Sequence, residues 1–481
     1  MGKMKKFTAL FLTFAMALSL GACGNNGNGG TDANKGDSDV KSSPAADANK
    51  DEGKEEGSTE GDAATDQVAN GEEVTVNILQ YKVEIQDALD EAIKLYHEKY
   101  PNVTINLETV GGGDSVDTVY KSRAASGNMP DIFNAAGPES CETYKDYLED
   151  LSDQPWVDHA NAGMLNLDTI DGKVYGMPVT TEAMGLVANK AIFEAAGVDL
   201  STVKDMASLE AAFKALQDKI DAGELKDQYP DLEAVTAVQG GATWVIGNHA
   251  INVALSPEFE EDIYKCAEAK EVKFSYKDAY TKYTDLMLNY STSKDDHQSC
   301  LSIDYDKAVQ EMLSLGKVAV IQQGNWVYTA VNDIDPEVAE NLTFLPLPVA
   351  GYKEDCLFTI VSNYWCVNKQ SDDNVKAAAK HFLNWLYQSE EGKDIVVNKF
   401  GFLPVFDNYG DLAPSDPLSK SILEYTSNGK GISMVFQGAP GGEGYTMDVF
   451  GQAVQGYLQG TSSWDDVFKK AQDEWASRRA K

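Results

Sequence analysis

The sequence is poor in the residues that build metal and nucleophile centres. Its five histidines are His97, His159, His249, His297 and His381, and no two stand four residues apart. No helical face therefore offers two imidazoles to one zinc ion. GxSxG, HExxH and GxxxxGK[ST] do not occur, and no cofactor is implied. The glycine-rich "GAPGGEG" from Gly438 does not follow a strand as a dinucleotide fingerprint requires, and reads as a flexible turn. Cysteine is scarce: six in all, without a CxxC pair. Setting Cys23 aside leaves an odd number, which argues against a disulfide framework. A Cys356–Cys366 bridge stays open on spacing alone, although Cys366, in the apolar run "YWCV", reads as a small buried hydrophobe. Basic charge is short as well, with 40 Lys and Arg against 76 Asp and Glu and a net charge of −36. Nothing basic is clustered to neutralise phosphates, so nucleic acid is not an expected partner, and the acidity reads as solubility. In so acidic a chain, pairs such as Asp295-Asp296 and Asp465-Asp466 read as solvated faces or caps rather than a general acid and base.

What the chain does have begins at residue 1. Lys3, Lys5 and Lys6 precede the apolar stretch Phe7 to Leu20, which is too short for a permanent membrane helix and is followed by small residues, as in a secretory signal. Leu20-Gly21-Ala22-Cys23 resembles the lipobox of bacterial lipoproteins, which implies cleavage after residue 22 and acylation of Cys23 as a membrane tether. Residues 23–73 are Gly, Asn, Asp, Glu, Ser, Ala and Lys with almost no large apolar side chain. Such a segment cannot offset its ordering entropy and is expected to be a disordered leash, about 35–40 Å end to end as a flexible coil.

The remainder has ordinary globular composition and is too long for one core, so two lobes are expected. "VTVNIL" from Val74 alternates as a strand, residues 84–100 carry helical spacing ended by Pro101, and "VTINLETV" from Val103 resumes a strand. That order predicts a parallel pair with a crossover helix, hence an α/β sheet. Gly197 reads as a helix C-terminal cap, residues 374–388 as a helix, and Ser463 with Asp466 as the cap of a last one.

Four stretches, in order, then resemble the sugar-type (family 1) extracellular solute-binding proteins that feed ABC importers. They are "SGNMPDIFNAAGPES" (126–140), "DGKVYGMPVTTEAMGLVANKAIFEAAGV" (171–198), "GKVAVIQQGNWV" (316–327) and "AAKHFLNWLYQSEEGKDIVVNKFGFLPV" (378–405). The resemblance implies a two-lobe, periplasmic-binding-protein-like α/β fold of type II, with the ligand cleft between lobes joined by hinge strands. Lobe 1 is expected to be residues 74–181 and 351–402, and lobe 2 residues 182–350 and 403–481. Hinges are placed near residues 179–183, 345–350 and 402–407. The output implied is closure on a carbohydrate, an oligosaccharide above all, and delivery to membrane permease subunits by a monomeric, lipid-anchored receptor on the outer face of the membrane. A cell-surface carbohydrate-processing enzyme and an ABC receptor for a non-sugar solute stay as rivals.

Sugar rings present C–H faces that stack on aromatics and hydroxyls that acids and amides bind. Trp326 falls on the family's Gly-x-Trp, and Trp244 follows a Gly-Gly pair as in the second lobe's cleft loop. Glu182 matches a position from which a carboxylate reaches the cleft. Tyr81 and Glu84 end the first strand at the edge where open α/β sheets place ligands, and Asn134 and Glu139 occupy the equivalent edge after "PDIF", where Asp131 reads as structural. Trp365, Glu443 and Tyr445 complete the candidates. The chain departs from the family pattern at Ala188-Asn189-Lys190, often Tyr-Asn-Lys, and at Ala319-Val320, often Ala-Met. Those changes bear on pocket size and ligand rather than on the fold.

Overall fold

The computed structural model describes residues 68–111 and 115–480. The signal segment, Cys23 and the leash up to residue 67 lie outside the described residues. Val68, expected in the leash, is instead packed in a core six residues before the first strand.

Strand β1 (Val74–Gln80) buries Val76 and Ile78 on one face. Helix α1 (Gln86–Lys99) buries Leu89, Ala92, Ile93 and Tyr96, the helical spacing read from the sequence, and Pro101 follows its C-cap Tyr100. Strand β2 (Val103–Thr109) then lies parallel to β1, with Val74 opposite Val103. After helix α2 (Val116–Ala125), strand β3 (Ile132–Ala135) pairs parallel to β1 on its other side. Asp131 is structural: its carboxylate accepts from the Asn77 backbone N–H and side-chain amide at 2.8 and 2.9 Å, and from the Ser371 hydroxyl at 2.5 Å. Helix α3 (Pro138–Tyr144) follows.

A small hairpin, β4 (Thr169–Ile170) with β5 (Lys173–Val174), leads to β6 (Met177–Pro178). The chain then leaves the first sheet through Val179 and Thr180 into β7 (Thr181–Asn189), the buried centre of a second sheet. That sheet adds β8 (Ala234–Ala237), β9 (Val318–Gly324), β10 (Leu342–Leu345) and β11 (Leu357–Val361). The return crossing is Ser362-Asn363, between β11 and β12 (Tyr364–Val367), because β11 pairs with β7 while β12 pairs with β3 and β6. Residues 345–350, expected as a hinge, instead turn back within the second sheet's core, where Leu347 and Val349 are fully buried and bond to Cys356 and Lys353. Residues 402–407, also expected as a hinge, lie beside the first crossing, where Leu403 bridges Thr181 and accepts from the Thr180 hydroxyl at 3.2 Å. Val405, Phe406 and Tyr409 nevertheless pack in the first lobe's core, and the chain crosses only before Leu418. Strand β13 (Gly431–Ser433) closes the second sheet's edge against β11.

The first sheet is thus ordered β2-β1-β3-β12-β6, with a core on each face, and the second β13-β11-β7-β9-β8. The result is a two-lobe α/β fold. Helix Asp373–Gln388 and the last helix, Trp464–Arg479 with its Ser463/Asp466 capping box, form as their spacing and caps dictate. Gly197 takes φ +74° after its helix, the conformation that favours glycine at that cap. Cys141, Cys266, Cys300, Cys356 and Cys366 are all buried and free, so Cys356 and Cys366 are not bridged. Among the described residues no helix is long and apolar enough to cross a membrane.

Candidate functional site

Between the sheets lies a cavity of about 320 Å³, walled by both lobes. Tyr81, Lys82 and Glu84 come from the loop after β1 and Asn134 from β3, the carboxyl edge of the parallel strands. Glu182 and Met184 on β7 face them, with Trp244, His249, Tyr305, Trp326, Gln437 and Glu443 from loops of the second lobe.

The aromatic wall is one cluster. The Trp244 ring meets His249 edge-on at 5.0 Å, Tyr305 at 5.7 Å and Trp326 at 6.5 Å, and His249 stands 5.3 Å from Trp326. Two local devices place it. A Cβ on Gly324 would stand 2.1 Å from the Trp326 ring, so the glycine at the end of β9 lets the indole fold back over its own strand. Trp326 Nε1 then donates to Gln323 Oε1 at 2.8 Å. After Trp244 the chain makes a π-helical turn, Val245–His249, which brings residues five apart together. Burial pushes the His249 imidazole down to about 3, so it is neutral throughout the physiological range.

The charged wall is already matched, save at one point. Lys82 Nζ lies 2.5 Å from Glu182 Oε1 and 3.2 Å from Glu84 Oε1, all three buried or nearly so. Burial disfavours its ammonium, but Glu182 and then Glu84 outweigh that and hold its pKa well above the ordinary value. Glu139 spans the lobes, bonding Arg479 Nη1 at 2.5 Å and accepting the Gly441 backbone N–H at 3.1 Å. Asp117 takes Lys121 Nζ and the Tyr144 hydroxyl, each at 2.5 Å. The Glu443 side chain is exposed to the cleft, and its carboxylate has no hydrogen bond or ion pair among the described residues. Desolvation by the protein around the cleft, and after that the charge of Asp117, push this carboxyl up to about 7, with Lys121 pulling the other way.

Neutral polar atoms are also left over. Asn134 Oδ1, His249 Nδ1, Asn363 Nδ2 and Gln437 Oε1 are buried without a partner, and all four residues line the cavity. Buried polar groups are rarely left so. Four together, two acceptors, a donor and an imidazole nitrogen, make a wall built to bind something polar.

Of the residues expected at the site, Tyr81, Glu84, Asn134, Glu139, Glu182, Trp244, Trp326 and Glu443 line this cavity. Trp365 and Tyr445 do not. Trp365 alternates with Tyr364 along β12 and turns into the first lobe's core, where its Nε1 donates to the Tyr387 hydroxyl at 3.2 Å. Tyr445 points away from Glu443, two positions earlier on one helical turn, and donates to the Ala471 carbonyl at 2.8 Å beneath Trp475. Lys82, His249, Tyr305, Asn363 and Gln437 went unread in the sequence. A single Lys beside Tyr81 carries no motif, and the Trp244–His249 spacing fits a π turn rather than the i, i+4 rule used to search for imidazoles.

Residues 91–417 match the profile of a family described as bacterial extracellular solute-binding protein. The chain belongs to that family. It is a binding protein rather than an enzyme. Two curated relatives are similar to this solute-binding protein. One is the xylose/arabinose-binding protein XacG of Haloferax volcanii, 25% identical over 54% of this chain and 55% of its own. The other is the multiple sugar-binding protein of Streptococcus mutans, 22% identical over 55% and 60%. The chain thus matches a little over half the length of each. Solved structures share the fold of this solute-binding protein. They include a chitin oligosaccharide binding protein (TM-score 0.66, 20% identity, 85% of this chain and 99% of that one) and RafE in complex with raffinose (0.66, 18%, 84% and 100%).

Proposed function

We propose that this protein is the substrate receptor of an ABC importer and that its solute is a carbohydrate, an oligosaccharide above all. The observation that carries the reading is the cleft itself: a four-ring aromatic cluster faces carboxylates and four unpartnered polar atoms across a cavity between two lobes. Indoles take the C–H face of a sugar, and amides and acids take its rim. The relatives' printed ligands, xylose, arabinose, multiple sugars, chitin oligosaccharide and raffinose, support the same class. The lobes divide at residues 179–180 and 362–363, as sheet membership suggests, and again between Leu412 and Leu418, as core membership suggests. They close on the ligand, and a membrane permease takes it from the closed form. Acylated Cys23 and the leash hold the monomeric receptor beside that permease at the outer face of the membrane, raising its effective concentration.

Titration of intrinsic tryptophan fluorescence against a panel of mono- and oligosaccharides tests the reading, since Trp244 and Trp326 face the cavity. A saturable change with at least one sugar is expected. If no sugar perturbs emission while peptides, polyamines or glycerol phosphates do, the carbohydrate assignment fails.

A further inference from the structure

Five carboxylates line the cleft, against two lysines. Glu84 and Glu182 share Lys82, Asp117 holds Lys121, and Glu139 holds Arg479 from outside the lining. Both lysines are therefore committed, and Glu443 is left as the one carboxylate without a cation among the described residues. A second observation points the same way. Asn134 Oδ1 and Gln437 Oε1 are acceptors without donors, on side chains only 5% and 8% exposed that line the same cavity from opposite lobes. A single unpartnered donor, Asn363 Nδ2, stands against them.

We infer that the solute is a saccharide bearing a free, protonated amine, and that Glu443 is the residue that selects it. This deepens the carbohydrate reading and rests on it. An ammonium supplies a positive charge and three N–H donors, the complement of an unpaired carboxylate and spare acceptors that line one cavity. It also suits the aromatic wall, since cations are drawn to indole faces. A sugar acid would meet the opposite situation: its carboxylate would enter a cleft whose cations are taken, facing Glu443 and Asp117. The surrounding protein and Asp117 disfavour ionised Glu443, and a neighbouring ammonium reverses that preference.

The test is calorimetric titration of the purified chain with matched sets: glucosamine, N-acetylglucosamine, glucose and glucuronic acid, and the α-1,4- and β-1,4-linked trimers of each. The free-amine member of the binding set is expected to bind at least tenfold more tightly than the neutral member, and the acid at least tenfold more weakly. Raising salt from 50 to 500 mM should weaken the amine and leave the neutral sugar nearly unchanged. E443Q, checked for folding by circular dichroism, should bring the amine-to-neutral ratio close to one. Equal binding of amine, acetylated and neutral forms overturns the inference while leaving a carbohydrate receptor intact. Binding of spermidine with no response to any sugar overturns the carbohydrate reading on which it rests. An amine preference that survives in E443Q removes the role assigned to Glu443.

Discussion

Single side chains decide both the site's grip and its pH response. Trp326 is positioned by Gly324 and Gln323 within the aromatic cluster of Trp244 and His249, so Trp326→Ala should weaken sugar binding roughly 10- to 100-fold, about 1.4–2.7 kcal/mol, in a calorimetric titration. Lys82→Met would strand Glu182 in a buried position and is expected to cost about 3–5 kcal/mol in urea denaturation. The double change K82M/E182Q should recover much of that loss, because only the less buried Glu84 is then left without its cation. Asp168 supplies a pH dependence. It is fully buried, and burial pushes its carboxyl up to about 7 despite the N–H that Gly137 donates to it. The unfolded chain releases that proton near 3.8 while the fold keeps it to about 7. Stability from this group is full below the lower value and is lost as pH rises through the upper one, at up to ~1.4 kcal/mol per pH unit. Asp168→Asn should flatten that slope, measured as unfolding free energy between pH 4 and 8. At this scale the sequence was legible where a residue type and a family position coincided, as at Trp326 and Glu182. It was opaque at Lys82 and Asn363, whose roles exist only because another lobe or strand comes to meet them.

At the scale of elements, periodicity carried most of the fold. The strand-helix-strand opening, the long helices and the last capping box all formed because apolar spacing and cap chemistry agree locally. Three places failed for physical reasons. Strand β12 is covered on both faces, so apolar content could not tell that Trp365 faces core. The return crossing lies at Ser362-Asn363, beyond β11, because β11 is as apolar as a hinge strand and only its partners reveal its sheet. The π turn after Trp244 has no ordinary helical period. The end of β9 yields the element-scale prediction. Gly324→Ala places a methyl where the Trp326 ring now lies, so the ring must swing out. Binding should fall nearly as far as in Trp326→Ala, with the circular dichroism spectrum unchanged; retained affinity would mean that the indole does not contact the sugar.

For the whole molecule, a two-lobe body over a central cleft predicts a change of shape. Saturating sugar should compact the particle, read as a smaller radius of gyration by X-ray scattering; identical profiles with and without ligand would rule out closure as the signal. The five thiols of the folded body add a different consequence. Cys141, Cys266, Cys300, Cys356 and Cys366 sit in two separate lobes, and burial pushes every one of them up. Neutral and shielded, they are poor nucleophiles and poor targets for extracellular oxidants. A maleimide or other thiol reagent can reach them only when the surrounding lobe opens, so mass-resolved labelling over time becomes a pair of clocks, each timing the breathing of one half of the receptor.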